Sequence, residues 1–183
     1  YVSAFGNAGS RMGLVEVRDK GRTWRPLRQG LEEPATHRDH FEITVDPKDE
    51  RTLYAVTRGK IFRTTNAGGA FEHVGAGTIT FSTDRSQSRS WIAGVAVDPS
   101  NSKRILAGTL TRGFYGGVFE SKDGAKSWTQ IAGTGDTKHL ADSGLGADAW
   151  PISLDRTDKY VLVGGTTGSA WLSEDRGLRF KLT

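Results

Sequence analysis

The chain of 183 residues has no cysteine. That excludes a disulfide framework, a thiolate metal site and a cysteine nucleophile. Its apolar runs are only a few residues long, far short of the ~20 that span a bilayer as a helix. No positively charged start leads into an apolar stretch, so no signal peptide is expected on this chain. No ten-residue window holds a 3.6-residue apolar period free of glycine and proline, which argues against helices. Charge of one sign is not concentrated either. The 25 basic and 21 acidic residues leave a net +4, spread without a run of five or six, so a nucleic-acid partner is not expected. Walker loops, GxSxG elbows and dinucleotide fingerprints are missing, and no cofactor is expected.

What the chain has in quantity is glycine, 24 residues, together with five Trp, eight Phe and four Tyr. The aromatics suffice for a core, and the length suits one domain or part of a larger one. Four segments align on the pattern small-x-Asp/Asn-x-Gly/Ala-x-x-aromatic: Val17 to Trp24, Thr64 to Phe71, Ser121 to Trp128 and Ser173 to Phe180. Their acidic or amide positions are Asp19, Asn66, Asp123 and Asp175, and their closing aromatics are Trp24, Phe71, Trp128 and Phe180. A second motif recurs in phase with the first. Ile43-Thr-Val-Asp-Pro47, Val95-Ala-Val-Asp-Pro99 and Ile152-Ser-Leu-Asp-Arg156 each lead into another apolar run.

Each unit reads as four short strands, on β-branched and aromatic enrichment, apolar alternation and intervening turn residues. In the second unit they are Phe41–Val45, Thr52–Thr57, Lys60–Thr64 and Ala70–Val74, named A to D. A four-stranded unit repeating every ~50 residues predicts an all-β chain of β-propeller blades. The whole of 1–183 is then one propeller segment. Blade 1, partial, occupies 1–27, blade 2 occupies 40–74, blade 3 occupies 91–131 and blade 4 occupies 150–183. Aligning blade 1 with blade 3 places Val2 opposite Leu106, inside strand B, which predicts 15 strands. The preferred expectation is a segment of a larger propeller, ahead of two halves paired into an eight-bladed ring and of a closed four-bladed ring.

These motifs resemble the Asp-box (bacterial neuraminidase repeat) propellers, a group with sialidases, xyloglucan-cleaving endoglucanases, sortilin-type receptors and photosystem II assembly factors. The resemblance covers essentially the whole chain. The third box is nearest the pattern, with Ala125 in place of a glycine. The resemblance implies that the boxes form C–D turns on the face away from any active site, and it implies an extracytoplasmic bacterial location. Turn chemistry points the same way. An Asp or Asn opening a tight turn accepts backbone N–H groups two or three residues on. Structural roles are therefore expected for the four boxes, and tight A–B turns for Asp46-Pro47 and Asp98-Pro99.

Ligand contacts are expected on the opposite face, at the B–C turns and the long D–A connections Arg28–His40, Gly75–Ser90 and Ala132–Ala149. The B–C turns hold Arg11, Arg58, Lys60 and Arg112 and no acid. Arg11, Arg58 and Arg112 fall in consecutive blades, where guanidinium forks suit carboxylate or phosphate groups. Trp91 and Trp150 are expected just ahead of strand A, at the mouth of the central channel, where an indole stacks on a sugar or grips a peptide.

Chemistry is harder to assign. A sialidase-like site needs an arginine triad, a Tyr–Glu pair and an acid/base Asp, and no Tyr–Glu pair can be assigned. Arg25-Pro26-Leu27 only approximates the family's Arg-Ile-Pro motif and falls in strand D. An inverting glycosidase needs two carboxyl groups ~6.5–9.5 Å apart. Loop candidates are Glu32, Glu33, Asp39, Asp84, Asp136, Asp142 and Asp148, with Asp39 and Asp148 as the weak catalytic candidates. His37 and His40 have no third ligand nearby, so no metal site is expected.

The resulting expectation is a non-catalytic scaffold that presents a face to a protein or peptide, an acidic one by the arginines. Alternatives are a glycan partner with part of a glycoside hydrolase site outside this chain, and a structural subunit that self-associates or joins a larger complex.

Overall fold

The computed structural model describes residues 2–3, 14–27, 29–31, 42–57, 59–75, 90–111, 116–134, 143–146, 149–150, 152–157, 159–165 and 168–183. Among them are fifteen strands, one short 3-10 turn at Asp19–Gly21 and no α-helix. Most strands are rich in β-branched or aromatic residues, and several are followed by a residue that favours a turn over a ladder: Asp19, Pro47, Gly75, Asp98, Asp155 and Gly165. Blade 1 comprises β1 (Val2–Ser3), β2 (Leu14–Arg18) and β3 (Thr23–Leu27). Blade 2 comprises β4 (Glu42–Asp46), β5 (Asp49–Thr57), β6 (Lys60–Thr64) and β7 (Glu72–Val74). Blade 3 comprises β8 (Ser90–Val97), β9 (Ile105–Thr111), β10 (Gly116–Ser121) and β11 (Thr129–Thr134). Blade 4 comprises β12 (Ile152–Leu154), β13 (Val161–Gly164), β14 (Ala170–Ser173) and β15 (Lys181–Leu182).

Within each sheet the strands run in chain order and pair antiparallel, giving one three-stranded and three four-stranded meanders. The leading strands stand side by side in sequence, β1 against β4, β4 against β8 and β8 against β12. The chain is thus a partial β-propeller, an arc of blades packed face to face. Pro26 lies in β3, an edge strand, the part of a sheet where a residue without an N–H is tolerated.

The core is three layers, one between each pair of neighbouring blades. Leu14 and Leu27 of blade 1 meet Leu53, Ala55, Phe62 and Phe71 of blade 2. Tyr54, Val56 and Ile61 of blade 2 meet Val95, Ile105, Phe119 and Trp128 of blade 3. Leu106 and Val118 of blade 3 meet Val161, Val163 and Phe180 of blade 4. Successive residues of one strand therefore enter different layers, because their side chains point to opposite faces. In β5 and β9 both faces are covered, and Thr52–Thr57 and Ile105–Thr109 are buried without a break. In β13 burial alternates, with Val161 and Val163 covered and Leu162 exposed. A sheet packed on one face reads as alternation and one packed on two as a continuous apolar run.

Several expectations shift, and strand B of blade 2 starts at Asp49 where Thr52 was expected. Trp91 lies inside β8, paired with Leu110, and not ahead of the strand, because the ladder extends to Ser90↔Thr111. Strand D of blade 2 starts at Glu72 where Ala70 was expected, since Asn66 Oδ1 holds the Ala70 N–H in the turn. Strand D of blade 3 runs on to Thr134, past the expected end at Ile131, through a bulged pairing with β10.

Candidate functional site

The repeated turns are built from their own side chains. At turn 3 the Ser121 hydroxyl donates to Asp123 Oδ1 (2.8 Å) and accepts the Ala125 N–H (2.9 Å). Asp123 Oδ1 in turn accepts the N–H groups of Lys126 (3.0 Å) and Ser127 (2.9 Å). Turn 4 repeats this with Ser173, Asp175, Gly177, Leu178 and Arg179. Turn 2 repeats part of it, with the Thr64 hydroxyl on Asn66 (2.7 Å) and the Ala70 N–H on Asn66 Oδ1 (3.0 Å). The third residue after the opening Ser/Thr has positive φ in each: Ala67 (57°), Gly124 (77°) and Arg176 (69°). Hydrogen bonds from the Ser127 hydroxyl and backbone hold the Asp123 carboxyl far below the usual range, against the effect of desolvation. At Asp175 burial pushes upward but loses to the Arg179 and Leu178 N–H groups and the Ser173 hydroxyl, and its pKa is also lowered.

Turn 1 differs. Val17 has no hydroxyl, and the network shrinks to the Thr23 hydroxyl on Asp19 Oδ2 (2.8 Å). Asp19 itself has positive φ (51°), as does Lys20 (54°). The closing aromatics separate the same way. Phe71, Trp128 and Phe180 are 6%, 8% and 5% exposed, against 57% for Trp24.

The blades are also tied by arginines to which sequence reading gave no such role. Arg25 donates to the Ala67 carbonyl (3.0 Å), Arg63 to Gly124 (3.1 Å) and Arg104 to Arg176 (2.7 Å). The acceptor is the same position of the following turn each time. Each guanidinium is oriented by acids of its own blade: Arg25 by Glu16 (2.7 Å), Arg63 by Glu72 (3.1 Å from Nε), and Arg104 by Glu120 (2.7 Å) and Asp98 (3.2 Å). Asp98, an expected A–B turn residue, is fully buried and also accepts Ser100 N–H (2.7 Å). Asp46 likewise accepts Lys48 N–H (2.9 Å). A sequence signal did exist for two of the pairs. Glu16/Arg25 and Arg63/Glu72 are each nine residues apart, in the same phase of the repeat, with the signs exchanged.

The opposite rim carries the B–C turns. Gly59, at one of them, bridges Ile92 of blade 3, and a β-carbon there would lie 2.9 Å from Trp91 Cβ. Trp91 thus stands under the neighbouring blade's turn while keeping 36% of its surface exposed. Trp150 leads into β12 with its backbone N–H donating to the Gly164 carbonyl (2.9 Å). A β-carbon at Gly94 would lie 2.9 Å from Trp150 Nε1 and 3.2 Å from Glu42 Cγ. Gly94 therefore clears the space in which the half-buried indole of blade 4 reaches across β8 toward Glu42 of blade 2. Thr57, at the top of β5, is buried, and its hydroxyl has no hydrogen-bond partner among the described residues. In Thr109, at the same register position of β9, the hydroxyl accepts Gly117 N–H (2.7 Å).

Arg11, Arg58 and Arg112 lie outside the described residues, as do Glu32, Glu33, Asp39, Asp84, Asp136, Asp142 and Asp148, His37 and His40. Of the expected ligand contacts, Trp91 stands beside the Gly59 turn, and Trp150 lies beside the Gly94 position, as does Glu42. Among the described residues no group of three or more His, Asp or Glu is placed to hold a metal. No helix there is long and apolar enough to cross a membrane.

No family model matches the chain, and no curated protein matches it. Among solved structures it is similar to YCF48 from Cyanidioschyzon merolae, at 17% identity and a TM-score of 0.49, over 78% of this chain and 36% of that one. A structure of YCF48 bound to a D1 peptide is similar at 15% identity and TM-score 0.47, over 84% and 44%. The GH74 enzyme of Niastella koreensis is similar at 18% identity and TM-score 0.42, over 88% and 33%. In each of these comparisons the chain spans less than half the length of the structure it matches.

Proposed function

We propose that this chain is an Asp-box-type propeller segment that binds a protein or peptide on its B–C rim and performs no catalysis of its own. The observation that carries the reading is Trp91, which stays one-third exposed at the end of an otherwise buried strand. An indole kept at a rim, apolar in body and with a polar edge, suits a partner side chain better than solvent. Trp150 lies on the same rim, and the arginines of the B–C turns, Arg11, Arg58 and Arg112, add donors for an acidic segment. The repeated turns serve as structure on the far face, where Asp123 and Asp175 spend their oxygen atoms on backbone N–H groups.

The test is a fluorescence titration with a short Glu- and Tyr-rich peptide, beside xyloglucan oligosaccharide as the carbohydrate probe. Saturable peptide binding is expected, weakened about tenfold or more by Trp91→Ala and by Arg58→Ala, a loss of at least ~1.4 kcal/mol. Release of reducing ends from xyloglucan, abolished by Asp39→Asn or Asp148→Asn, would replace this reading with a hydrolase.

A further inference from the structure

Two glycines of blade 3 stand opposite each other on neighbouring strands. Gly94 of β8 pairs with Gly108 of β9, just past the register shift that follows Ile92. Partners in an antiparallel pair project to the same face of the sheet. Here the leading segment of blade 4 fills the space that two side chains would take. A β-carbon at Gly108 would collide with the Ala149 carbonyl oxygen. One at Gly94 would lie 2.9 Å from Trp150 Nε1, 3.0 Å from its Cδ1 and 3.2 Å from Glu42 Cγ. Main-chain bonds fix the segment in place, from the Ala149 N–H to the Thr109 carbonyl (2.8 Å) and from the Trp150 N–H to the Gly164 carbonyl (2.9 Å).

The blade repeat does not itself require these glycines. The equivalent pair in blade 2 is Glu42 with Val56, and Val56 is buried in the layer facing blade 3. The register agrees, since Val56 pairs with Ile61 as Gly108 pairs with Val118. Neither Gly94 nor Gly108 has positive φ, so backbone geometry does not call for glycine at either position. What calls for it is the close approach of blade 4, with backbone over Gly108 and an indole over Gly94. Trp91 is placed in a related way, by Gly59 of the blade before it, which bridges Ile92 and leaves no room for a β-carbon beside Trp91 Cβ.

We propose that Gly94 is a positioning residue of the rim: the recess over Gly94 and Gly108 seats the Trp150 indole and fixes the aromatic surface that a partner meets. A side chain held in its bound position binds more tightly because less freedom is lost on association. The inference rests on the rim reading for what the indole does, and on blade 3 alone for where it sits. A methyl group at position 94 would press on the far ends of two side chains and on no backbone atom. It should therefore swing the indole aside while the blades stay packed.

The test compares Gly94→Ala with Gly146→Ala, a glycine in open space and without positive φ. Gly94→Ala should keep the urea midpoint of that control, raise acrylamide quenching of tryptophan emission, and lose this rise in a chain that also carries Trp150→Phe. Affinity for the Glu- and Tyr-rich peptide should fall about threefold or more, with no further loss when Gly94→Ala is added to Trp150→Ala. A second variant, Gly59→Ala, is read against Gly168→Ala, which has a similar positive φ on another B–C turn and nothing within 4 Å. Gly59→Ala should weaken peptide binding more than that control, and add nothing to Trp91→Ala. Unchanged quenching in Gly94→Ala, an equal rise with Trp150→Phe, or an affinity loss that persists in full beside Trp150→Ala overturns the proposal. So does a Gly94→Ala chain that no longer unfolds cooperatively, which would make Gly94 a packing position. A parent chain that binds no peptide removes the rim reading instead, and the quenching comparison still decides whether Gly94 seats the indole.

Discussion

Turn 1 and turn 4 share a pattern of residues and end in opposite environments. In turn 4 Ser173 and Asp175 satisfy the backbone and Phe180 is buried on blade 3. In turn 1 a valine replaces the serine, the aspartate has left-handed backbone geometry, and Trp24 lies open with its indole N–H on the Gly21 carbonyl. The lesson is that two separable things hold such a turn. One is the local hydroxyl–carboxylate network, which needs only residues within the turn. The other is the preceding blade, which supplies a floor for the aromatic.

Deleting the aromatics gives the largest contrast. Phe180→Ala should cost about 3–5 kcal/mol, as loss of a buried Phe does, and appear as a lower urea midpoint at unchanged slope. Trp24→Ala, measured in dilute protein, should stay within ~0.5 kcal/mol of the parent. An equal cost at both sites would mean that Trp24 is covered in solution. The local network is the next probe. Ser173→Ala leaves the Gly177 N–H without its acceptor in a buried turn and should cost about 1–3 kcal/mol by the same measurement. A neutral result would assign turn 4 wholly to the packing of Phe180.

The smallest effect at neutral pH, growing as acid is added, belongs to Asp123. Its folded pKa lies below the unfolded value, so its contribution is fully present above ~4 and is lost as the pH falls toward the folded value. Asp123→Asn should flatten acid unfolding below about pH 4 while leaving the slope nearer neutrality unchanged. An unchanged acid limb would transfer that role to Asp175, whose pKa is lowered as well.

Much of the fold was legible because its signals are local. Alternation marks strands, Asp-Pro and Asp-x-Gly mark turns, and two motifs in phase mark blades. The turn networks were legible in part for the same reason, since Ser121, Asp123 and Ser127 lie within seven residues, but the N–H groups that Asp123 accepts lie three and four residues on, where two or three was expected. Trp91 and Trp150 were singled out in the sequence as aromatics ahead of strand A, although Trp91 lies within that strand. Glu42 was not, because it comes near Trp150 only at the Gly94 position of blade 3, far from both in sequence.

Residue order alone thus determined the number of strands, their grouping into meanders and the hydrogen bonding of turns 2 to 4, because consecutive strands pair with each other and the turn bonds span four residues or fewer. Tertiary structure alone decided what covers each blade. Arg104 reaches a carbonyl 72 residues away, and Phe180 and Trp24 stand at equivalent positions of one repeat with opposite burial. A side chain's burial depends on the neighbouring blade, and no local pattern records whether that neighbour is there.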